Sequence, residues 1–361
     1  MSAVSPFSLL QLIGGLILLI AGAELLVRAA VRLAARLHVR PLLIGLSIVA
    51  LGSSAPQMAV SLQAAFAQSS DIAVGSVIGS NIFNSLVVIG LSALIIPLRV
   101  ARQLIRLDIP GMILASSLVF ILALDEAFSR LDGVLLLALL ALYLGLLLRQ
   151  SRHSARASSH HPAPPRRAPW LSSLALMLCG LLLLIGAGHL LLDAAVEVAT
   201  DLGLSERIIG LTVVAVSTSL PGLATSLIAA LRGQRDIAVG NVIGSNLFNL
   251  LGVLGITALV APTPLSVSPN ALDFDLPVML GVAALCLPVF YSGYRVTRAE
   301  GLVFLGLYLV YGLHVVTFTT GMPLAARLEN LMLFYILPAL VAFLLFSSLR
   351  AWRRQHHKET P

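Results

Sequence analysis

Apolar runs of roughly 20 residues, the length a helix needs to cross a bilayer, recur from one end of the chain to the other, parted by short polar or basic stretches. The pattern predicts spans at about 8–28, 41–66, 73–98, 109–124 and 132–148, then 171–191, 206–231, 237–261, 276–293 and 300–318, with one more at 329–349. Residues 149–170 are rich in Arg, His, Ser and Pro and have little to bury, so they read as a flexible linker. The expected fold is an all-α membrane protein. Five spans fall in 1–148 and five in 171–318, and 319–361 adds an eleventh span with a basic tail.

The two sets of five resemble each other at an offset of 165 residues. Asp71-Ile-Ala-Val-Gly-Ser-Val-Ile-Gly-Ser-Asn-Ile-Phe-Asn84 matches Asp236-Ile-Ala-Val-Gly-Asn-Val-Ile-Gly-Ser-Asn-Leu-Phe-Asn249 at 12 of 14 positions, and Ile44-Gly-Leu-Ser-Ile-Val-Ala50 matches Ile209-Gly-Leu-Thr-Val-Val-Ala215. Five is odd, so the second copy enters the membrane upside down. Flanking charge agrees: Arg28, Arg32 and Arg36 end the first span, whereas Asp193, Glu197 and Asp201 end the sixth. An N-terminus outside and a C-terminus in the cytoplasm put all but three of the 23 Lys and Arg residues (Arg130, Arg207 and Arg327) on the inner side, as the positive-inside rule requires. The expected location is a bacterial-type inner membrane. Inverted repeats point to a transporter with no cofactor rather than an enzyme, because exchanging the conformations of the halves opens a midplane site to alternate sides.

Composition narrows this further. The chain is 58% hydrophobic and only 11% charged, against about 25% charged in soluble domains. The net charge of +7 does not imply a nucleic-acid partner, since the Arg residues lie between apolar spans with no basic stripe or aromatic platform. Cys179 and Cys286 lie inside apolar runs and read as packing residues. Met1 to Pro6 carry no Lys or Arg, so the first run reads as a retained span rather than a signal peptide.

Candidate chemistry sits where the spans are interrupted. The second contains Leu51-Gly-Ser-Ser-Ala-Pro-Gln57 and the seventh Val216-Ser-Thr-Ser-Leu-Pro-Gly222. Pro56 and Pro221 each remove a backbone donor and strain the preceding turn, which is expected to free carbonyls of Val49, Ala50, Val214 and Ala215 for a ligand. Matching breaks in two inverted halves favour a site over a simple kink. On the third and eighth spans, Ser80 with Asn84 and Ser245 with Asn249 are four residues apart and stack on one helical face. Gly75-x-x-x-Gly79 and Gly240-x-x-x-Gly244 allow close helix approach beside them. Ser53, Ser54, Gln57, Thr218 and Ser219 complete the expected lining.

These segments, with Gly-Ala-Glu-Leu-Leu-Val at 22–27, resemble the cation/calcium exchanger family, which includes the sodium/calcium exchangers and their bacterial relatives. The likeness covers about residues 10–318. It implies ten helices in two inverted sets of five and exchange of calcium for sodium, or sometimes protons, by alternating access. It also implies ligands at Ser53, Ser54, Ser80 and Asn84 and at Thr218, Ser219, Ser245 and Asn249. The family places a calcium-binding glutamate directly after the Pro of each break, where this chain has Gln57 and Gly222. Calcium leans on carboxylates to offset its dehydration, whereas neutral oxygens hold monovalent ions. The expectation is an antiporter of inorganic cations with a monovalent-adapted or otherwise altered site, one that suits sodium or protons and fits calcium poorly by the family mechanism.

Two other readings fit: a carrier of a neutral or organic solute, using the room that Gly222 leaves, and a non-transporting membrane scaffold that kept the fold. Glu24, the one carboxylate considered as compensation, lies near the inner end of span one, and its repeat partner is His189. The pair would suit proton coupling, but interfacial snorkelling is the simpler expectation. Asp71 and Asp236 read as helix caps, His314 as packing, and His160, His161, His356 and His357 as parts of basic, solvated segments.

Overall fold

The computed structural model describes residues 6–37, 39–157, 170–201, 213–291 and 293–319, with a few positions between 327 and 342. Among these residues, ten helical spans follow in chain order. They are α1 (Pro6–Leu37), α2 (the pair Pro41–Ser53 and Ala55–Phe66, bent by 41° at their junction), α3 (Ser70–Ile95), α4 (Leu104–Asp125), α5 (Arg130–Ala157), α6 (Trp170–Asp201), α7 (Ala215–Leu231), α8 (Arg235–Val260), α9 (Ala271–Tyr291) and α10 (Arg298–Thr319). Nine of the ten expected spans are thus present as long apolar helices, counting the bent pair as one, and the seventh is described only over the shorter helix Ala215–Leu231; the chain is an integral membrane protein. The expected eleventh span, the tail and residues 202–212 lie outside the described residues apart from isolated positions. The linker begins later than expected, because α5 continues past residue 148 to Ala157. Once the span has nucleated the helix, each further residue adds one hydrogen bond, and Arg149, Arg152 and Arg156 are good helix formers.

The connections show that the halves are inverted. Two short antiparallel ribbons join them: β1 (Leu98–Arg99), after α3, pairs with β4 (Arg295–Val296), after α9. β2 (Ala127–Phe128), after α4, pairs with β3 (Leu265–Ser266), after α8. Halves inserted the same way would bring the segment after α3 beside the segment after α8. Instead each meets the connection one helix further on, as opposite insertion demands. Backbone bonds extend both ribbons, Val100 N–H to Tyr294 O at 2.9 Å and Val267 N–H to Glu126 O at 2.8 Å. Arg102 lies over the Tyr294 ring, 5.5 Å from its centre.

Arginines close the sheet-bearing ends in matching ways. Arg130, opening α5, donates to the Ala261 carbonyl at 3.3 Å. Arg298, opening α10, donates to the Leu94 carbonyl at 3.1 Å. Each guanidinium satisfies a carbonyl left over at a helix C-terminus and complements its dipole. A cleft of about 410 Å³ gathers Pro41, Arg99, Gly233, Gln234, Arg235 and Asp236. It places the α1–α2, α3–α4 and α7–α8 connections at one end of the molecule, the arginine-rich end of the sequence partition.

Glycines decide how the helices meet. A Cβ on Gly244 of α8 would lie 2.6 Å from the Leu46 carbonyl oxygen of α2, and on Gly79 of α3 it would lie 3.2 Å from Ala215 Cβ of α7. A Cβ on Gly133 of α5 would lie 2.7 Å from the Gly255 carbonyl oxygen of α8, and one on Gly301 of α10 would lie 2.7 Å from the Gly90 carbonyl oxygen of α3. These are two pairs of equivalent contacts, related by the same repeat. With lipid outside, such close backbone approach rather than water exclusion holds helices together. The long helices α1 and α6 cross at Gly22 and Gly180, where a Cβ on either would lie 2.9 Å from the other's carbonyl oxygen, and they flank the crossing of α2, α3, α7 and α8. The windows of α3 and α8 are 83% and 89% buried, against 33% for α1 and 28% for α6. The innermost helices are therefore those that carry the repeated motif.

Candidate functional site

At Ser54 the backbone flattens to φ −90° and ψ −4°, and a new helical segment starts with Pro56 in its first turn, where the missing donor costs nothing. α7 behaves differently: Pro221 lies inside a continuous helix, so the two expected breaks are not equal. For Ala50, Val214 and Ala215 the expectation of freed carbonyls is also corrected. Ala50 O accepts the Ser54 N–H at 3.0 Å, while Val214 O and Ala215 O lie 2.9 and 3.1 Å from the Thr218 hydroxyl. In a bilayer a hydroxyl three or four residues along is the nearest donor for a loosened carbonyl.

The side chains near these prolines form a buried polar core between the repeats. Gln57 Oε1 accepts from Ser80 Oγ at 2.9 Å and from Thr218 Oγ1 at 2.7 Å, and its Nε2 donates to Ser76 Oγ at 2.8 Å and Ser61 Oγ at 3.2 Å. On the other side, Ser53 Oγ donates to Asn241 Oδ1 at 2.9 Å and lies 2.9 Å from Ser245 Oγ. Asn241 Nδ2 donates to Ser226 Oγ at 2.9 Å and to the Gly222 carbonyl at 3.2 Å. Every one of these side chains is buried. Each half contributes to the other's network, Thr218 reaching Gln57 and Ser53 reaching Asn241. Gly188 of α6 covers the prolines, its Cβ direction 3.7 Å from Pro221 and 3.8 Å from Pro56.

Five expected lining residues, Ser53, Gln57, Ser80, Thr218 and Ser245, are therefore brought together. Ser54, Ser219, Asn84 and Asn249 are buried on the same segments, but among the described residues no hydrogen bond ties them to this core. Ser54 Oγ and Asn249 Oδ1 are buried without a partner there. The helical register also loosens at this level: Asn84 opens a π-turn, Asn84–Val88, and Asn249 lies within another, Phe248–Val253. The simple four-residue stacking of Ser80 with Asn84 and Ser245 with Asn249 thus meets a change of winding, a feature common at functional sites.

No Asp or Glu enters this core among the described residues, and none of them gather in groups of three or more His, Cys, Asp or Glu. Glu24 does not supply the missing charge. It pairs with Arg28 at 2.5 Å and with Arg232, whose Nε lies 2.6 Å away. Nor does it meet His189, which is exposed. In the antiparallel α1–α6 pair Gly22 lies opposite Gly180 and Gly15 opposite Leu191, so Glu24 and His189 stand about 15 Å apart along the axis. Two other carboxylates lie inside the fold instead, Asp108 buried and Asp275 half-buried. Asp108, in a π-turn opening α4, accepts from Tyr143 of α5 at 3.3 Å. Asp275, in a π-turn opening α9, accepts from Tyr311 of α10 at 3.0 Å and from Asn270 at 3.2 Å. They are repeat equivalents, and the apolar runs that begin at 109 and 276 exclude both.

Residues 7–149 and 172–317 match the sodium/calcium exchanger protein family. The chain is 39% identical over 304 residues to the putative antiporter CaxA of Alkalimonas amylolytica, covering 82% of this chain and 95% of that protein. It is 36% identical over 307 residues to the inner membrane protein YrbG of Escherichia coli, covering 83% and 94%. The solved structure of the sodium–calcium exchanger NCX_Mj superposes with a TM-score of 0.71 at 30% identity, covering 84% of this chain and 97% of that one.

Proposed function

The chain belongs to the sodium/calcium exchanger family, and from this premise we propose that it is a secondary antiporter whose midplane site takes a monovalent cation, sodium first, and not calcium. That it is a membrane antiporter follows from the family; the choice of ion rests on its own residues. The observation that carries the reading is the neutral core of Gln57, Ser80, Thr218, Ser53, Ser245 and Asn241, drawn from both repeats and without a carboxylate among the described residues. Taking an ion out of water costs several kcal/mol that the site must return. Carboxamide and hydroxyl oxygens suffice for one charge, as carbonyl-lined filters show, while a divalent ion lacks its usual anionic ligands.

Ser54, Ser219, Asn84 and Asn249 belong to the same proposed ion path, and the repeats are taken as residues 1–148 and 171–318. The membrane is a bacterial inner membrane, with the arginine-rich end in the cytoplasm, the N-terminus outside and the C-terminus inside. An organic-solute carrier is less well supported, because the space beside Gly222 is bounded by Ser53 Oγ at 3.9 Å and Asn241 Nδ2 at 4.0 Å. The test is radiolabelled cation flux with the purified chain in liposomes. Sodium exchange, with or without a pH gradient, and no calcium uptake is the expected result. Micromolar calcium transport refutes the ion choice, and flux of a neutral solute alone, or no flux at all, refutes the antiporter reading.

A further inference from the structure

The buried core is more symmetric in space than in sequence. With the offset of 165 residues, Ser61 corresponds to Ser226, Ser80 to Ser245 and Ser53 to Thr218. Their contacts correspond as well. Ser80 Oγ lies 3.4 Å from Ala215 O and Ser245 Oγ lies 3.5 Å from Ala50 O; Ser61 Oγ lies 3.5 Å from Ala73 O and Ser226 Oγ lies 3.3 Å from Ala238 O. Two positions break the rule, and they break it together. Gln57 corresponds to Gly222, which has no side chain, and Ser76 corresponds to Asn241, which has a carboxamide.

Gln57 and Asn241 make equivalent bonds although they stand on non-equivalent helices. Each amino group is anchored within its own half, Gln57 Nε2 on Ser61 and Ser76, Asn241 Nδ2 on Ser226 and the Gly222 carbonyl. Each carbonyl oxygen meets a hydroxyl of the opposite half, Gln57 Oε1 on Thr218 and Asn241 Oδ1 on Ser53. The orientation of Asn241 is fixed by chemistry, since the Gly222 carbonyl only accepts hydrogen bonds and must therefore face the amino group. The carbonyl-type oxygens thus point to where the repeats meet, and the donors point away.

We propose that Asn241 supplies to the second repeat the ligand oxygen that Gly222 lacks, so that the site presents one carboxamide oxygen per repeat to a monovalent cation. This deepens the function proposed above and rests on it. Inward oxygens with outward amino groups suit a cation and repel an anion. Asn241 is then a specificity-determining residue, its charge and reach setting which ion the second half accepts.

The test uses the full chain in detergent and in liposomes, with sodium chloride against choline chloride and with calcium chloride as probes. Cation-dependent thermal stabilisation and sodium flux are the readouts. Asn241→Ala should weaken the apparent sodium affinity by about tenfold or more, the loss of one neutral ligand. Asn241→Asp should make calcium a stabilising ion. The discriminating variant transplants one repeat's arrangement into the other: Gln57→Gly alone should lose the sodium response, and Gln57→Gly with Ser76→Asn should regain it. A monodisperse Asn241→Ala protein with unchanged sodium affinity overturns the inference alone, as does a folded transplant that stays unresponsive while wild type responds. A wild type that responds to no cation overturns the proposed function, and the ligand role with it.

Discussion

Replacing Gln57 and Gly222 together by glutamate should turn the site towards calcium. The structure accommodates both changes. Gln57→Glu keeps the donors Ser80 and Thr218 on one oxygen. At Gly222 the nearest atoms to a new Cβ are in Ser53, at 3.9 Å, with Asn241 Nδ2 at 4.0 Å, so the added side chain meets no close contact at its root. The dehydration cost of each ion is the same for wild type and variant, so it cancels from the change in selectivity. What remains is the attraction of the added charges. At about 4 Å and an effective dielectric near 20, a unit pair is worth roughly 4 kcal/mol. Calcium gains that amount beyond sodium for each carboxylate, a shift of about a thousandfold. The assay is thermal stabilisation of purified variant and wild type across calcium and sodium titrations, backed by calcium uptake into liposomes. The empty variant should unfold earlier than wild type, because two buried charges then lack a counter-ion. A monodisperse double variant whose calcium-to-sodium preference lies within about tenfold of wild type would refute the placement of the site.

The remaining expectations concern the scaffold, and thermal or denaturant unfolding in detergent measures each. Gly22→Ala places a methyl group 2.9 Å from backbone atoms of Gly180 and Leu184 and should cost about 1–3 kcal/mol. Gly222→Ala meets nothing nearer than 3.9 Å and should stabilise the helix by roughly 0.5–1 kcal/mol. Tyr143→Phe should be costlier than Tyr311→Phe, within about 1–3 kcal/mol, because Asp275 retains Asn270 while Asp108 Oδ2 has no hydrogen-bond partner among the described residues. Arg232→Ala breaks a half-exposed pair with Glu24, which keeps Arg28, so its effect should stay below about 1 kcal/mol.

The spans and their inversion were readable because membrane helices announce themselves by length and apolarity, and because an odd number of spans per repeat leaves one geometric outcome. The site was readable in part. Ser53, Gln57, Ser80, Thr218 and Ser245 converge because the prolines and the Gly-Ser-Asn motif lie at one depth. Asn241 is one of two mismatches between nearly identical segments, and only beside the mismatch of Gln57 with Gly222 does it become informative. Asp108 and Asp275 were lost because apolar windows end at the first charge. The matched Asp-Ile-Pro at 108–110 and Asp-Leu-Pro at 275–277, with Tyr143 and Tyr311 one repeat apart, carried the signal. The unequal behaviour of Pro56 and Pro221 was not readable, since it depends on which hydroxyl reaches which carbonyl.

The two ribbons also bear on how such a molecule moves. Strand pairs clasp the halves at both membrane faces, Leu98 against Val296 and Phe128 against Leu265, so the segments they fasten cannot part like the jaws of a clamp. Among the described residues helices α1 and α6 carry no such clasp, and they lie against each other over Gly22 and Gly180. Any rearrangement that exposes the polar core first to one side and then to the other is most cheaply carried by these two sliding as a unit across a frame riveted at top and bottom.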